Sequence, residues 1–166
     1  AVQWAHRAGA RVIATASNEQ DTAVCREAGA AAVVNHREPE WGKAVLDLTG
    51  GQKIDRVIDV EFGANLPELL HCLRIGATIA TYSSTLVPEP SLPFRTMMFM
   101  DLTVRMVIVY AMPEAAKAQA AVDTQAALTE GGLQHRIVET LPFDQMAKAH
   151  EIIEEGSVRG CVVVTI

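Results

Sequence analysis

Polar side chains follow two of the first apolar runs of the chain, where they could hold a nucleotide phosphate. Ser17 and Asn18 follow the run RVIATA, and His36 follows the run AAVVN. Small hydroxyl and amide groups leave room for a 2′-phosphate, and a helix N-terminus is itself an anion site. His36 and Arg37 would add positive charge there. The alternative is that Ser17 and Asn18 only cap a helix and that His36 and Arg37 form a solvated loop.

Two further groups of polar residues end later runs. Tyr82, Ser83 and Ser84 end TIATYS, where they could lie beside a cofactor or simply form a polar turn. Asp59 and Glu61 lie at the end of RVIDV as two carboxylates. Such a pair could act as general acid and base, although a structural role is the commoner one.

The cysteines and histidines do not show a metal-binding pattern. Cys25, Cys72 and Cys161 are widely separated, and no pair has the spacing of a zinc or redox site. His71 and Cys72 are adjacent and would point to different faces of a helix, which disfavours joint metal binding. We therefore expect Cys72 to pack in the core and expect no metal in this chain.

Alternating strand and helix signals organise these residues. Strands are predicted at 11–16, 31–35, 56–60, 78–83, 102–112, 135–143 and 161–166. The helices between them include one capped by Ser17 and ending at Gly29, one with Trp41, Val45 and Leu48 on one face, and one capped by Asn65. This alternation predicts an α/β fold with a doubly wound parallel sheet and helices on both faces. The apolar strands would be buried on both faces.

No glycine-rich phosphate loop accompanies this fold. Neither G-x-G-x-x-G nor a Walker A sequence occurs. The opening residues AVQWAHRAG resemble the later part of a helix that ends at a glycine. We therefore expect that a first strand and a tight turn precede residue 1 in a longer protein.

Length and composition limit the classes of protein. The 166 residues are 49% hydrophobic, which favours one globular domain over disorder. The formal net charge of −6 argues against a nucleic-acid surface. The apolar runs are too short to span a membrane. Three scattered cysteines fit a reducing compartment, so a cytoplasmic location is expected.

Three segments in fixed order resemble one family. The segments AVQWAHRAGARVIATAS, AGAAAVVNHRE and the AHEII–G–G ending before CVVVTI resemble the medium-chain dehydrogenase/reductase superfamily, and most of all its NADPH:quinone oxidoreductase (ζ-crystallin-like) branch. The resemblance covers the whole chain. It implies a single Rossmann-type dinucleotide-binding domain over 1–166 that lacks its first strand and glycine-rich turn. Residues 133–166 would return towards a catalytic domain.

The resemblance implies an activity and a cofactor site. The whole protein would reduce a quinone or similar activated carbonyl compound by hydride transfer from NADPH. Asp21 stands where many bacterial relatives have a lysine that pairs with the 2′-phosphate, which leaves NADH possible. Tyr82 stands where the family usually has glycine. No catalytic residue is assigned. With the residues already singled out, the expected cofactor-binding set is Ser17, Asn18, His36, Asn65, Thr81, Tyr82, Ser83, Ser84, Met106, Val107 and Ile108.

The long apolar run LTVRMVIVYAM predicts a partner. It would be an edge strand, and unprotected edges of this kind pair with another chain. The resemblance also implies a sheet that continues across a dimer, so we expect a homodimer through residues 104–110 and a small-molecule substrate. Two alternatives stay open: a zinc-dependent alcohol dehydrogenase of the same superfamily, and a non-catalytic nucleotide-binding or dimerisation fragment.

Overall fold

Strands and helices alternate along two compact units, Ala1–Gln125 and Ala126–Ile166. The structure is a computed structural model that describes all 166 residues. The elements are α1 (Val2–Arg7), β1 (Ile13–Ala16), α2 (Glu19–Glu27), β2 (Ala32–Asn35), α3 (Trp41–Leu48), β3 (Ile54–Asp59), α4 (Phe62–Cys72), β4 (Leu73–Thr81), α5 (Phe94–Phe99), β5 (Thr103–Met106), α6 (Glu114–Thr129), β6 (Ile137–Pro142), α7 (Met146–Glu154) and β7 (Cys161–Thr165).

All strand pairs in the first unit are parallel. β1 pairs with β2, and a second sheet has the order β3-β4-β5. The predicted parallel α/β fold is confirmed. β1 and β3 are not hydrogen-bonded to each other, so the strands form two sheets rather than one continuous sheet. The expected burial on both faces is wrong for β3, because its apolar residue Ile58 is 57% exposed.

A single apolar core supports both sheets of the first unit. Trp41 and Val45 of α3, and Leu66 and Leu69 of α4, pack with the buried residues of β2 and β4. The predicted apolar face of α3 is confirmed for Trp41 and Val45, but Leu48 at the end of α3 is exposed. The helical spacing predicts the core side of α3 and overestimates how far along the helix the core reaches.

Both predicted N-caps are wrong. The N-cap of α2 is Asn18 rather than Ser17, because the Asn18 Oδ1 accepts the Asp21 N–H at 2.8 Å. Helix α4 begins at Phe62 with Glu61 as N-cap, so Asn65 lies inside its first turns. The first amides of α4 find partners in the loop after β4, which lets the helix begin earlier than the sequence pattern predicts.

The predicted strand 102–112 is also too long. β5 ends at Met106, and residues 109–111 form a short 3₁₀ turn. The partner strand β4 ends at Thr81, whose carbonyl accepts the Val107 N–H at 2.8 Å. Beyond this bond no strand continues the ladder, so the chain leaves the sheet.

The second unit is a small parallel βαβ arrangement. β6 and β7 pair in parallel, with α7 between them in sequence. Its buried apolar side chains are Ala127, Leu141 and Ala149. Residues 133–166 lie within this unit. In neither unit is a helix long and apolar enough to cross a membrane.

Replacing Leu66 by alanine tests the core of the first unit. Leu66 is 2% exposed, so Leu66→Ala should lower the free energy of unfolding by about 3 kcal/mol through lost burial and a cavity. Leu86→Ala deletes the same atoms from a side chain that is 77% exposed and should change it by less than about 0.5 kcal/mol. Urea denaturation measures both. Equal losses would contradict the assigned core.

Candidate functional site

Two residues of the predicted set lie at the carboxyl ends of β1 and β2. The last pair in the register of these strands is Ala16 with Asn35. Ser17 and His36 are the next residues of the two strands, so they share one edge of this sheet. Ser17 is half-buried and His36 is exposed. The structure therefore brings these two residues together, as expected for the carboxyl edge of a parallel sheet.

The structure shows that Asn18 serves the start of α2. Its Oδ1 accepts the Asp21 N–H, and its Nδ2 donates to the Asp21 Oδ2 at 2.8 Å. The capping alternative thus describes Asn18 correctly. The bond also holds the Asp21 carboxylate in the first turn of α2, four residues after Ser17 in the chain, so a negative charge is held near this edge.

A second row of predicted residues lies at the carboxyl ends of β3, β4 and β5. Asp59 pairs in register with Thr81, and Thr81 pairs with Met106. The segments that follow, residues 82–84 and 107–108, therefore start from the same edge. Tyr82 is 60% exposed and Met106 is 74% exposed, whereas Ser83, Ser84 and Val107 are half-buried and Ile108 is exposed.

The buried carboxylate of Asp59 organises this second edge. Asp59 is 5% exposed, and its Oδ1 accepts Nδ2 of Asn65 at 2.7 Å. The Thr81 hydroxyl lies 3.3 Å from Asp59 Oδ2 and 3.2 Å from the Ser83 carbonyl. The Tyr82 N–H donates to the Asp59 carbonyl at 3.3 Å. Asn65 and Thr81 thus turn their donors towards Asp59, and the buried Thr81 hydroxyl is engaged within the protein.

Glu61 lies two residues from Asp59 but bonds to a different element. Its carboxylate accepts the backbone N–H groups of Thr85 at 2.9 Å and Leu86 at 3.0 Å. Asp59 and Glu61 therefore each hold a separate part of the structure, and the geometry favours the structural alternative over an acid–base pair. Sequence reasoning singled out the two carboxylates but missed that Glu61 fixes the loop after β4, because its partners lie 24 and 25 residues away.

Cys72 has the structural role expected from the sequence. It is buried, and its thiol donates to the Leu69 carbonyl at 3.4 Å. Burial raises the pKa of the Cys72 thiol to about 11, with a smaller contribution from the charge of Glu68. The thiol is therefore neutral at pH 7 and is not a nucleophile. No group of three or more His, Cys, Asp or Glu lies together as a metal site.

Comparison with known proteins identifies the family. A family model described as zinc-binding dehydrogenase matches residues 1–126. The chain belongs to the zinc-binding dehydrogenase family. A quinone oxidoreductase of Pongo abelii is 29% identical to it over 159 residues, which are 95% of this chain and 47% of that relative. The chain thus spans about half the length of that curated relative. The resemblance to the quinone oxidoreductase branch of the medium-chain dehydrogenases/reductases is confirmed.

Solved structures agree with this family. An NAD-dependent alcohol dehydrogenase is 29% identical with a TM-score of 0.78, over 99% of this chain and 46% of that one. The quinone oxidoreductase of Escherichia coli complexed with NADPH is 22% identical with a TM-score of 0.80, over 99% of this chain and 52% of that one. The fold is therefore that of a Rossmann-type nucleotide-binding domain.

Removing the Asp59 carboxylate tests its role at the second edge. Asp59→Ala leaves the Nδ2 donor of Asn65 without its acceptor and removes the contact between Asp59 and the Thr81 hydroxyl, which can still donate to the Ser83 carbonyl, so the free energy of unfolding should fall by about 2 kcal/mol. Asp55→Ala removes an exposed carboxylate that pairs with Arg74 and should cost less than about 1 kcal/mol. Chemical denaturation compares the two variants.

The isosteric variant Asp59→Asn refines this test. Its amide oxygen can accept from Asn65, and its amide N–H can donate to the Thr81 hydroxyl, which then donates to the Ser83 carbonyl. It should retain most of the stability lost in Asp59→Ala. A loss as large as that of Asp59→Ala would contradict the hydrogen-bond pattern.

Proposed function

We propose that this chain is the nucleotide-binding part of an NADPH-dependent oxidoreductase that reduces a quinone or similar activated carbonyl compound by hydride transfer. The observation that carries the proposal is the gathering of the expected residues at the carboxyl edges of the two parallel sheets. Ligands of doubly wound folds bind at this end of the strands. The family match and the quinone oxidoreductase relative support the same reading.

The residues at the two edges suit the two halves of a dinucleotide. Ser17 and His36 offer a hydroxyl and an imidazole to the adenosine end, and the start of α2 favours a phosphate. Exposed Tyr82 and Met106 and half-buried Ser83 offer surface to the nicotinamide end. When bound, the cofactor supplies the hydride. The residues of this chain would orient its two ends, and none of them is assigned as an acid or base.

Asp21 bears directly on whether this site prefers NADPH or NADH. Its carboxylate, held by Asn18, lies in the first turn of the helix that follows Ser17. A negative charge there opposes a 2′-phosphate, whereas His36 on the neighbouring strand end favours it. The E. coli relative complexed with NADPH supports NADPH, and the similar NAD-dependent alcohol dehydrogenase supports NADH. We place NADPH first because the relative that matches 95% of this chain is a quinone oxidoreductase, as is the E. coli protein complexed with NADPH.

The zinc-dependent alcohol dehydrogenase is the second candidate. It is favoured by the similarity to an NAD-dependent alcohol dehydrogenase at 29% identity. It shares the fold and predicts a preference for NADH. The third alternative, a non-catalytic module, predicts self-association without turnover.

The cysteines support a reducing, cytoplasmic environment. No disulfide joins any two of them, and Cys161 is exposed. An exposed thiol is open to oxidation in an oxidising compartment. We therefore keep the cytoplasmic location as part of the proposal.

The cofactor preference can be measured on the 166-residue chain by isothermal titration calorimetry. We expect NADPH to bind more tightly than NADH. His36→Ala should weaken NADPH binding by about fivefold through loss of a phosphate partner, and should leave NADH binding unchanged. His71→Ala, an exposed histidine at the end of α4, is the matched control. Tighter binding of NADH would favour the alcohol dehydrogenase, and absence of binding would favour the non-catalytic module.

We also propose a homodimer through residues 104–110. β5 pairs only with β4, so its outer edge is free, as expected from the sequence. The segment that includes this edge exposes large apolar side chains, namely Met106, Ile108, Val109 and Tyr110. Exposed apolar surface beside a free strand edge favours pairing with a second copy of the chain. Because β5 ends at Met106, strand pairing would involve residues 104–106 and side-chain packing would involve 107–110.

A charge on the exposed edge tests the homodimer. Met106→Lys places a lysine among these apolar side chains and should convert the dimer to a monomer. Val122→Lys adds the same charge to an exposed position of α6 and should leave the dimer intact. Sedimentation velocity over a range of concentrations measures both variants. A monomer at all concentrations in the unmodified chain would overturn the proposal.

A further inference from the structure

The loop after β4 is fastened to the start of α4 by a set of local bonds. The Phe62 N–H donates to the Ser83 carbonyl at 3.1 Å, and the Gly63 N–H donates to Oγ of Ser84 at 2.9 Å. The Ser84 hydroxyl in turn donates to the Val87 carbonyl at 2.6 Å. The loop therefore supplies the partners that the first amides of a helix otherwise lack.

Glu61 contributes a charged group to this attachment, and its carboxylate accepts hydrogen bonds from two loop amides. One carboxylate oxygen accepts the Thr85 N–H, and the other accepts the Leu86 N–H. Hydrogen bonds to an ionised acceptor are stronger than neutral ones. The carboxylate also lies at the N-cap of α4, where the helix dipole favours a negative charge. Both effects stabilise the loop in the observed position.

Gly63 lets the loop approach α4 closely. A Cβ at this position would lie 2.6 Å from the Val87 carbonyl oxygen and 2.9 Å from Oγ of Ser84. These distances are shorter than ordinary van der Waals contacts, so any side chain at 63 would displace the loop. The contact between the loop and α4 therefore depends on the absence of a side chain at position 63 as well as on the hydrogen bonds.

We infer that Glu61 is a positioning residue that holds residues 83–86 in the conformation in which they receive a bound dinucleotide. The attachment begins directly after Tyr82, at the edge where the nicotinamide end is proposed to bind. Glu61 does not need to touch the cofactor. It acts through the backbone of Thr85 and Leu86. This role in cofactor binding rests on the function proposed above.

The bond pattern predicts a graded response to substitution. Glu61→Ala removes both acceptors. Glu61→Gln keeps one acceptor oxygen but turns an N–H₂ group towards the second amide, so it should lose one bond. Both variants should release the loop, and the alanine variant should release it more completely. Glu89→Gln removes one negative charge from an exposed residue between β4 and α5 and is the control for charge alone.

Hydrogen–deuterium exchange of the 166-residue chain tests the attachment without any ligand. The Thr85 and Leu86 amides should exchange at least about tenfold faster in Glu61→Ala, at an intermediate rate in Glu61→Gln, and unchanged in Glu89→Gln. Calorimetric titration with NADPH should then show a dissociation constant raised about fivefold in Glu61→Ala and less in Glu61→Gln. Should the alanine variant not fold, the glutamine variant carries both measurements.

The outcomes separate the attachment from the proposed function. Unchanged exchange at both amides in Glu61→Gln would overturn the attachment. Faster exchange with an unchanged NADPH dissociation constant would overturn the positioning role. Faster exchange in a chain whose unmodified form does not bind NADPH would overturn the proposed function, and with it the positioning role, while it would confirm the attachment itself.

Discussion

The burial of one carboxylate at the carboxyl end of β3 determines how the neighbouring elements meet. Asp59 has little contact with water, so its oxygens need donors from the protein. Asn65 supplies one from α4 and Thr81 supplies another from β4. A strand, the following helix and the next strand are thereby joined at a single residue. The exposed residues of this edge start from positions that this bond network fixes.

Apart from the end of β5, the strand ends could be predicted from the sequence to within two residues, and the start of α4 could not. The run RVIDV predicts a strand over 56–60, which overlaps β3 (Ile54–Asp59) and ends one residue beyond it. The start of α4 depends instead on Ser83 and Ser84, about twenty residues later. A capping pattern depends only on residues close to the helix start in the sequence, so it predicted Asn65 as the N-cap of α4. In the same way, β5 ends where β4 ends, and the apolar run alone does not show this limit.

The residues of the candidate site divide in the same way: positions after strand ends could be predicted, and hydrogen-bond roles between distant residues could not. Ser17 and His36 could be chosen because they lie just after strand ends, and the parallel register brings such positions to one edge, whereas Met106 is expected only from the family resemblance. The roles of Asn18, Asn65 and Glu61 depend on which donor meets which acceptor after folding. Only Asn18 has a partner close enough in sequence, Asp21, for a local rule to find it.

In the proposed cofactor site, the mutual bond between Asn18 and Asp21 would link the choice of cofactor to the stability of the first turn of α2. A lysine at position 21 would offer a charge partner to a 2′-phosphate, yet it would remove the acceptor of the Asn18 amide and place a cation at the positive end of α2. A protein engineer who alters this position for electrostatic reasons would at the same time loosen the first turn of α2. Redesign towards phosphate recognition would therefore need an acidic residue elsewhere in that turn. Glu19 already provides one such group.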